Sequence, residues 1–442
     1  MSKFIVKGGN PLFGSVRVGG AKNSSWKIMI AALLADSPSR LLNLPHIADV
    51  AFVADLIRNL GGKVESRGER MFVVDPSGIN QEAIDANKGE FSRSSVAFLP
   101  LLLRQFGQAS VPLPGGDKIG KRPLERHFFG LDALGAQVEV KDGQIVATLP
   151  GKKFHGATYR FAKNSHTGTE TLLMAAVTAE GTTILENAAV EPEVVDLVHF
   201  LNEMGGHIRL IRPRTWEIIG VEKLHGCIYK IMPDRNETVT YACAALATRG
   251  DVIVENARAA DLTAFLSKLD DIGAGYQVGD FGIRFFYYQP LQGTDITTTI
   301  HPGFMTDWQP LWATLMTQSQ GESNIHETVM QSRFQYVEPL QQMGGNLEIY
   351  QPEVIDRDKT YNFNLEDDLP DAKHALHING PTVFHGGEFV VSDLRAGATL
   401  ILAALSSPTE VILHNVEQID RGYEKLDERL CNLGAKITRE EE

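Results

Sequence analysis

One signal recurs six times along the chain and limits what it can fold into. An apolar residue is followed by Gly-Gly or Gly-Ala: Leu60-Gly61-Gly62, Leu134-Gly135-Ala136, Met204-Gly205-Gly206, Ile272-Gly273-Ala274, Met343-Gly344-Gly345 and Leu433-Gly434-Ala435. The first glycine of each copy reads as a helix C′ residue, because glycine enters the left-handed conformation that ends a helix without a Cβ penalty. Successive copies lie 74, 70, 68, 71 and 90 residues apart. A period of about 70 residues therefore organises the chain. The longer last interval predicts an insertion within 356–387, looped outward, where the acidic run Glu366-Asp367-Asp368-Leu369-Pro370-Asp371 falls.

Each repeat also has a front half: a polar residue, a small apolar helix, and a strand ending near Asn or Glu. Examples are Lys22 to Asn43, Lys163 to Asn187, Arg235 to Asn256 and Arg395 to Asn415. Helices that are apolar nearly all round are expected to be buried, whereas the helices before the glycines carry charge on one face and are expected outside. The fold class is thus α/β, six repeats with buried inner helices in a closed rather than open-ended arrangement.

In register, the inner-helix starts carry Lys22, Arg93, Lys163, Arg235, Asp307 and Arg395. Helix N-termini present free N–H groups and partial positive charge, so basic residues at that phase point to an anion site. A second phase, six residues after the strand end, holds Arg333 and Arg421. The second repeat carries the glycine-rich stretch Pro114-Gly115-Gly116-Asp117-Lys118-Ile119-Gly120-Lys121-Arg122-Pro123. Within 111–126 it reads as a mobile loop able to close over a ligand, and it lacks the ending of a Walker loop. Many cations, the carboxylates Asp307 and Asp117 and such a loop suit proton transfer between anionic small molecules.

Composition narrows the partners. The formal net charge of −13 speaks against nucleic acid, though a local basic cluster can still take a small anion. The longest apolar run, Ile28 to Ala35, is far short of the ~20 residues of a membrane span, and the first residues do not read as a signal peptide. The expected location is the cytoplasm, without membrane insertion. Cys227, Cys243 and Cys431 are widely spaced and predict buried thiols rather than disulfides or a zinc site. His374, His377 and Asp371 make no closed ligand set, so no metal or cofactor is expected. The sequence sets no oligomeric state.

Taken in order, these motifs resemble a known family. Gly20-Ala21-Lys22-Asn23, the glycine-rich loop, Asn187-Ala188-Ala189 with Glu191-Pro192-Glu193, Pro233-Asp234-Arg235 with Glu237-Thr238, Asp393-Leu394-Arg395 and Ile419-Asp420-Arg421-Gly422-Tyr423-Glu424 are similar to the UDP-N-acetylglucosamine enolpyruvyl transferases. The resemblance spans nearly the whole chain. It implies a two-domain inside-out α/β barrel, with one domain at 22–232 and the other formed by 1–21 and 233–442, and substrates between them. It implies transfer of the enolpyruvyl group of phosphoenolpyruvate to the 3-hydroxyl of UDP-N-acetylglucosamine, with release of phosphate, in peptidoglycan precursor synthesis.

Carried over by motif, Lys22, Arg122 and Arg421 hold phosphoenolpyruvate. Asn23, Arg93, Arg122, Lys163, Ser165, His166, Arg333 and the backbone of Val329 serve binding. Asp307 is the base on the hydroxyl, and Asp393 and Arg395 support the reacting centre. The family's usual loop cysteine is Asp117 here, which implies proton delivery to C3 by a carboxyl group and insensitivity to fosfomycin, an alkylator of that cysteine. Val190 stands where arginine is common. Two other readings share parts of the pattern: a transferase acting on shikimate 3-phosphate, and a non-catalytic paralogue that binds a UDP-sugar.

Overall fold

The computed structural model describes residues 2–85, 93–115 and 120–441. The chain divides into two units. An early unit holds most of the residues from Gly20 to Met232; a late unit holds the N-terminal residues to Gly19, Gly120 and Lys121, and Pro233 onward.

Every repeat follows one plan: inner helix, strand, outer helix, two further strands. The inner helices are α1 (Lys22–Ala31), α2 (Leu99–Phe106), α3 (His166–Ala176), α4 (Arg235–Ala247), α5 (Gln309–Thr317) and α6 (Leu394–Ser406). All thirteen residues of α4 and all nine of α5 are buried. Runs such as Ala242-Cys243-Ala244-Ala245 let backbones approach closely, and in the late unit α5 packs on both α4 and α6. Each unit has its own hydrophobic core. The six-repeat α/β reading is borne out, with five four-stranded sheets, one three-stranded sheet, and no closed barrel of strands among the described residues.

All six predicted C′ glycines have positive φ, from 71° at Gly273 to 102° at Gly205 and Gly434. A second left-handed set sits at the strand ends: Asn43, Asn187, Asn256 and Asn415, with φ between 51° and 67°. Each side-chain amide donates to the backbone of the strand paired alongside: Asn43 to Ile231 O at 3.0 Å, Asn187 to Phe161 O at 2.8 Å, Asn256 to Val18 O at 3.4 Å and Asn415 to Val391 O at 2.9 Å. Those carbonyls lie just upstream of the inner helices α4, α3, α1 and α6. The asparagines thus tie four of the six sheets to the approach to a helix start.

The sixth repeat is completed by the N-terminus. Ser2–Lys7 pairs antiparallel with both Glu410–His414 and Lys436–Glu441, filling the place that a hairpin strand takes elsewhere. In the fifth repeat the hairpin strands are Leu347–Tyr350 and Ala375–Gly380. The extra length therefore lies at 351–374, and Ala375–Gly380 belongs to the regular sheet. Nor does the insertion only loop outward, because Tyr361, Phe363 and His374 are buried. The thiols also differ from expectation: Cys243 is buried, while Cys227 and Cys431 are partly exposed. No helix is long and apolar enough to cross a membrane among the described residues.

Candidate active site

In the early unit, Lys22 is the first residue of α1. No side chain caps this helix, and its positive end adds to the ammonium. Lys22 Nζ meets Asp49 Oδ2 at 2.8 Å, and Asp49 is buried in the first turn of the outer helix Ala48–Asn59. Asn23 follows in the same turn, half-buried.

Arg93 opens the short helix Arg93–Phe98 that leads into α2, and its Nη2 donates to Arg122 O at 3.0 Å. Burial lowers its pKa to about 9, and the Arg122 guanidinium adds to the shift. Like charges crowded away from water favour a bound anion. Arg126 brings a third guanidinium and donates to Asn164 O at 2.8 Å. Beside them His127 is buried; burial, then Arg93 and Arg126, push its pKa down to about 3. The ring is therefore neutral, and bonds Thr171 Oγ1 at 3.1 Å and Thr167 Oγ1 at 3.2 Å. Arg126 and His127 thus join the outer helix Glu125–Ala133 to the start of α3.

Lys163 does not open α3 but precedes it by three residues, half-buried. Ser165 is the cap: its Oγ accepts from Gly168 N–H at 3.1 Å. That leaves the hydroxyl hydrogen for a ligand. His166 Nε2 lies 3.3 Å from Glu170 Oε1, and Glu170 is paired in turn with buried Lys27 at 2.5 Å. Burial and Lys27 disfavour charge on His166, but Glu170 and Glu191 outweigh them and its pKa is raised.

In the late unit, Asp307 precedes α5 by two residues. Its neighbour Trp308 is buried, edge-on to Phe265 and Phe304, with the indole N–H on Asn236 Oδ1 at 2.9 Å. That anchor fixes where Asp307 emerges. Arg333 Nη2 donates to Asp307 Oδ1 at 2.6 Å and Arg395 Nη2 to Oδ2 at 3.1 Å. A carboxylate oxygen carries two acceptor lone pairs, the chemistry a base on a hydroxyl requires. Burial opposes the charge of Arg395, but Tyr423, Asp307 and Asp234 outweigh it and hold its pKa above the ordinary arginine value. Its Nη1 donates to Tyr423 OH at 3.0 Å.

Asp393 caps α6, accepting from the N–H groups of Arg395 at 2.9 Å and Ala396 at 3.1 Å. Arg421 is buried and reaches Gln418 Oε1 at 3.4 Å. Arg235 is buried, with its guanidinium 5.3 Å from the Trp308 ring centre. Val329 N–H donates to Glu327 Oε1 at 2.8 Å, so its carbonyl is the group left for a ligand. Glu327 also accepts from Thr298, Thr306 and Met330; burial still raises its pKa, against these four donors. Asp117 lies outside the described residues.

Asp49, Arg126, His127 and Glu327 were missed by sequence reasoning. Asp49 finds Lys22, and Glu327 finds Thr298 and Thr306, through the fold and at no recurring spacing. Arg126 is the last residue of the 111–126 loop and His127 directly follows it, which is the signal that points to them.

The model of the family described as EPSP synthase (3-phosphoshikimate 1-carboxyvinyltransferase) matches residues 6–430. A UDP-N-acetylglucosamine 1-carboxyvinyltransferase 3 from Caldanaerobacter subterraneus subsp. tengcongensis is 39% identical, covering 99% of each chain. A UDP-N-acetylglucosamine 1-carboxyvinyltransferase from Halothermothrix orenii is 37% identical, again over 99% of each. Among solved structures, the enolpyruvyl transferase NikO from Streptomyces tendae aligns with a TM-score of 0.84 at 25% identity, covering 99% of this chain and 98% of that one. With both the family model and these relatives matching nearly end to end, the chain belongs to the EPSP synthase family of enolpyruvyl transferases.

Proposed function

We propose that this chain is a UDP-N-acetylglucosamine 1-carboxyvinyltransferase, moving the enolpyruvyl group of phosphoenolpyruvate to the 3-hydroxyl of UDP-N-acetylglucosamine and releasing phosphate. The observation that carries the reading is Asp307 held by Arg333 and Arg395, a carboxylate oriented by two guanidiniums. The full-length relatives named for this activity support the choice of acceptor.

In this reading Asp307 takes the proton from the 3-hydroxyl as oxygen attacks C2, while C3 gains a proton from Asp117. The C–O bond to phosphate then breaks as a C3 proton returns to the Asp117 carboxylate. Lys22, Arg122 and Arg421 hold the phosphoenolpyruvate anion by charge-assisted contacts. Arg93, Lys163, Ser165, His166 and Asn23 serve the nucleotide sugar, with Arg333 and the Val329 backbone. Arg395 orients Asp307, and Asp393 fixes Arg395 by capping its helix. The setting is peptidoglycan precursor synthesis in the cytoplasm.

Phosphate release separates this from the sister reaction. With phosphoenolpyruvate present, UDP-N-acetylglucosamine is expected to drive release and shikimate 3-phosphate is not. Release with shikimate 3-phosphate alone would move the assignment to the sister enzyme. Tight binding of the UDP-sugar without turnover would make the chain a binding protein.

A further inference from the structure

Residues 351–374 form a folded element. Tyr361 and Phe363 stack at 4.8 Å between ring centres, and each ring lies 5.0 Å from that of buried His374. Asp368, buried as well, takes His374 Nε2 at 2.9 Å and Arg357 Nη2 at 2.8 Å. A small core and an ionic staple thus fix the segment. The repeat does not need it: the four other hairpins within a repeat turn in two to four residues.

Its contacts run to the site. Asn362 N–H donates to Thr328 O at 2.8 Å, and Gln331 Nε2 to Asn364 O at 3.5 Å. The same Gln331 accepts the Lys121 N–H on Oε1 at 2.8 Å, while Asp367 pairs with Lys121 Nζ at 3.1 Å. Gly120 lies so near that a Cβ there would stand 2.9 Å from both Cβ and Oε1 of Gln331. Backbone and side chain of Lys121, one residue before Arg122, are thereby held at once. The 328–333 segment held on the other side includes Val329 and Arg333, the partner of Asp307.

We infer that the 351–374 element is a positioning device for the transfer reaction, acting through Gln331 and Asp367 on Lys121 and on the 328–333 segment. It rests on the reaction proposed above; Gln331 and Asp367 are positioning residues and carry no chemistry. The test uses the double variant Gln331→Ala with Asp367→Asn, and Asp367→Glu as the conservative change. With both substrates, KM for phosphoenolpyruvate is expected to rise about 5- to 30-fold, the worth of one exposed ion pair plus one hydrogen bond. The kcat should fall no more than about 3-fold by the same reasoning, since the catalytic groups are untouched. Asp367→Glu should restore most of the loss.

Hydrogen exchange of peptides covering 120–124 and 328–333, without substrate, should be faster in the double variant. It reads the inference even if the wild type turns over neither acceptor, in which case the proposed reaction fails separately. Unchanged exchange in both peptides overturns the inference, as does a fall in kcat with KM unmoved.

Discussion

At the scale of one residue, Arg93 carries the anion site proposed for the early unit. Burial, and then Arg122, lowers its folded pKa to about 9, well below the ordinary arginine value. For a base with a depressed folded pKa, carrying the charge costs stability at every pH below about 9. That cost is relieved only as pH rises above about 9, toward the ordinary arginine range. At neutral pH the ligand-free protein is therefore strained by a charge that a bound anion relieves. Arg93→Gln should raise the Tm of the ligand-free protein by about 2–4 °C, as expected for ~1 kcal/mol in a unit of this size. It should also weaken the nucleotide sugar by roughly 10- to 100-fold, the loss of one charge-assisted contact. Differential scanning fluorimetry and KM check this; a lower Tm with unaltered KM would contradict it. Asp117 carries a second expectation at this scale. A carboxylate cannot form the thiol adduct, so activity should survive preincubation with fosfomycin, whereas Asp117→Cys should be inactivated progressively. Time-dependent inactivation of the wild type would contradict it. The cations and Asp307 were legible because they recur at fixed phase or stand in strong motifs. Asp49 and Glu327 were not, because Lys22 reaches the first, and Thr298 and Thr306 the second, only through the fold.

Elements were legible where backbone conformation dictates the residue. Glycine alone ends a helix cheaply in the left-handed region, and all six predicted positions adopt it. The asparagine set was visible as a strand end but not as a clamp, since its φ and its amide bond depend on the neighbouring strand. The two contributions separate by substitution at Asn187. Asn187→Gly keeps the left-handed backbone and loses the bond to Phe161 O, costing about 1 kcal/mol. Asn187→Ala adds the steric penalty of a side chain at positive φ, for about 2–3 kcal/mol in total. Urea unfolding measures both, and equal losses would refute the clamp. Lys163 was placed at a helix start because Ser165 was not read as the cap. The insertion was located by period alone, which finds excess length but not its ends. The alternation in Ala375-Leu376-His377-Ile378 was the local sign that the regular strand had already resumed.

At the scale of the molecule, the last repeat explains why the chain cannot be read as six contiguous blocks. Ser2–Lys7 supplies a strand to a sheet whose other members lie beyond residue 386. The period shows six copies but is silent on which strand completes which sheet, because pairing across 400 residues leaves no local pattern. The repeats also account for the chemistry proposed. Buried inner helices bring basic and acidic residues to or near their N-terminal ends, and the strand-end loops add Arg333 and Arg421. In the reading proposed above, these groups serve two anionic substrates and one proton-accepting carboxylate. The most direct test is the product itself. Incubation with phosphoenolpyruvate and UDP-N-acetylglucosamine, followed by mass spectrometry and proton NMR, should show one enolpyruvyl ether on the 3-oxygen of the sugar and one phosphate released per ether formed. Unmodified UDP-N-acetylglucosamine after many enzyme equivalents of time, or an ether on any other oxygen, would contradict the account.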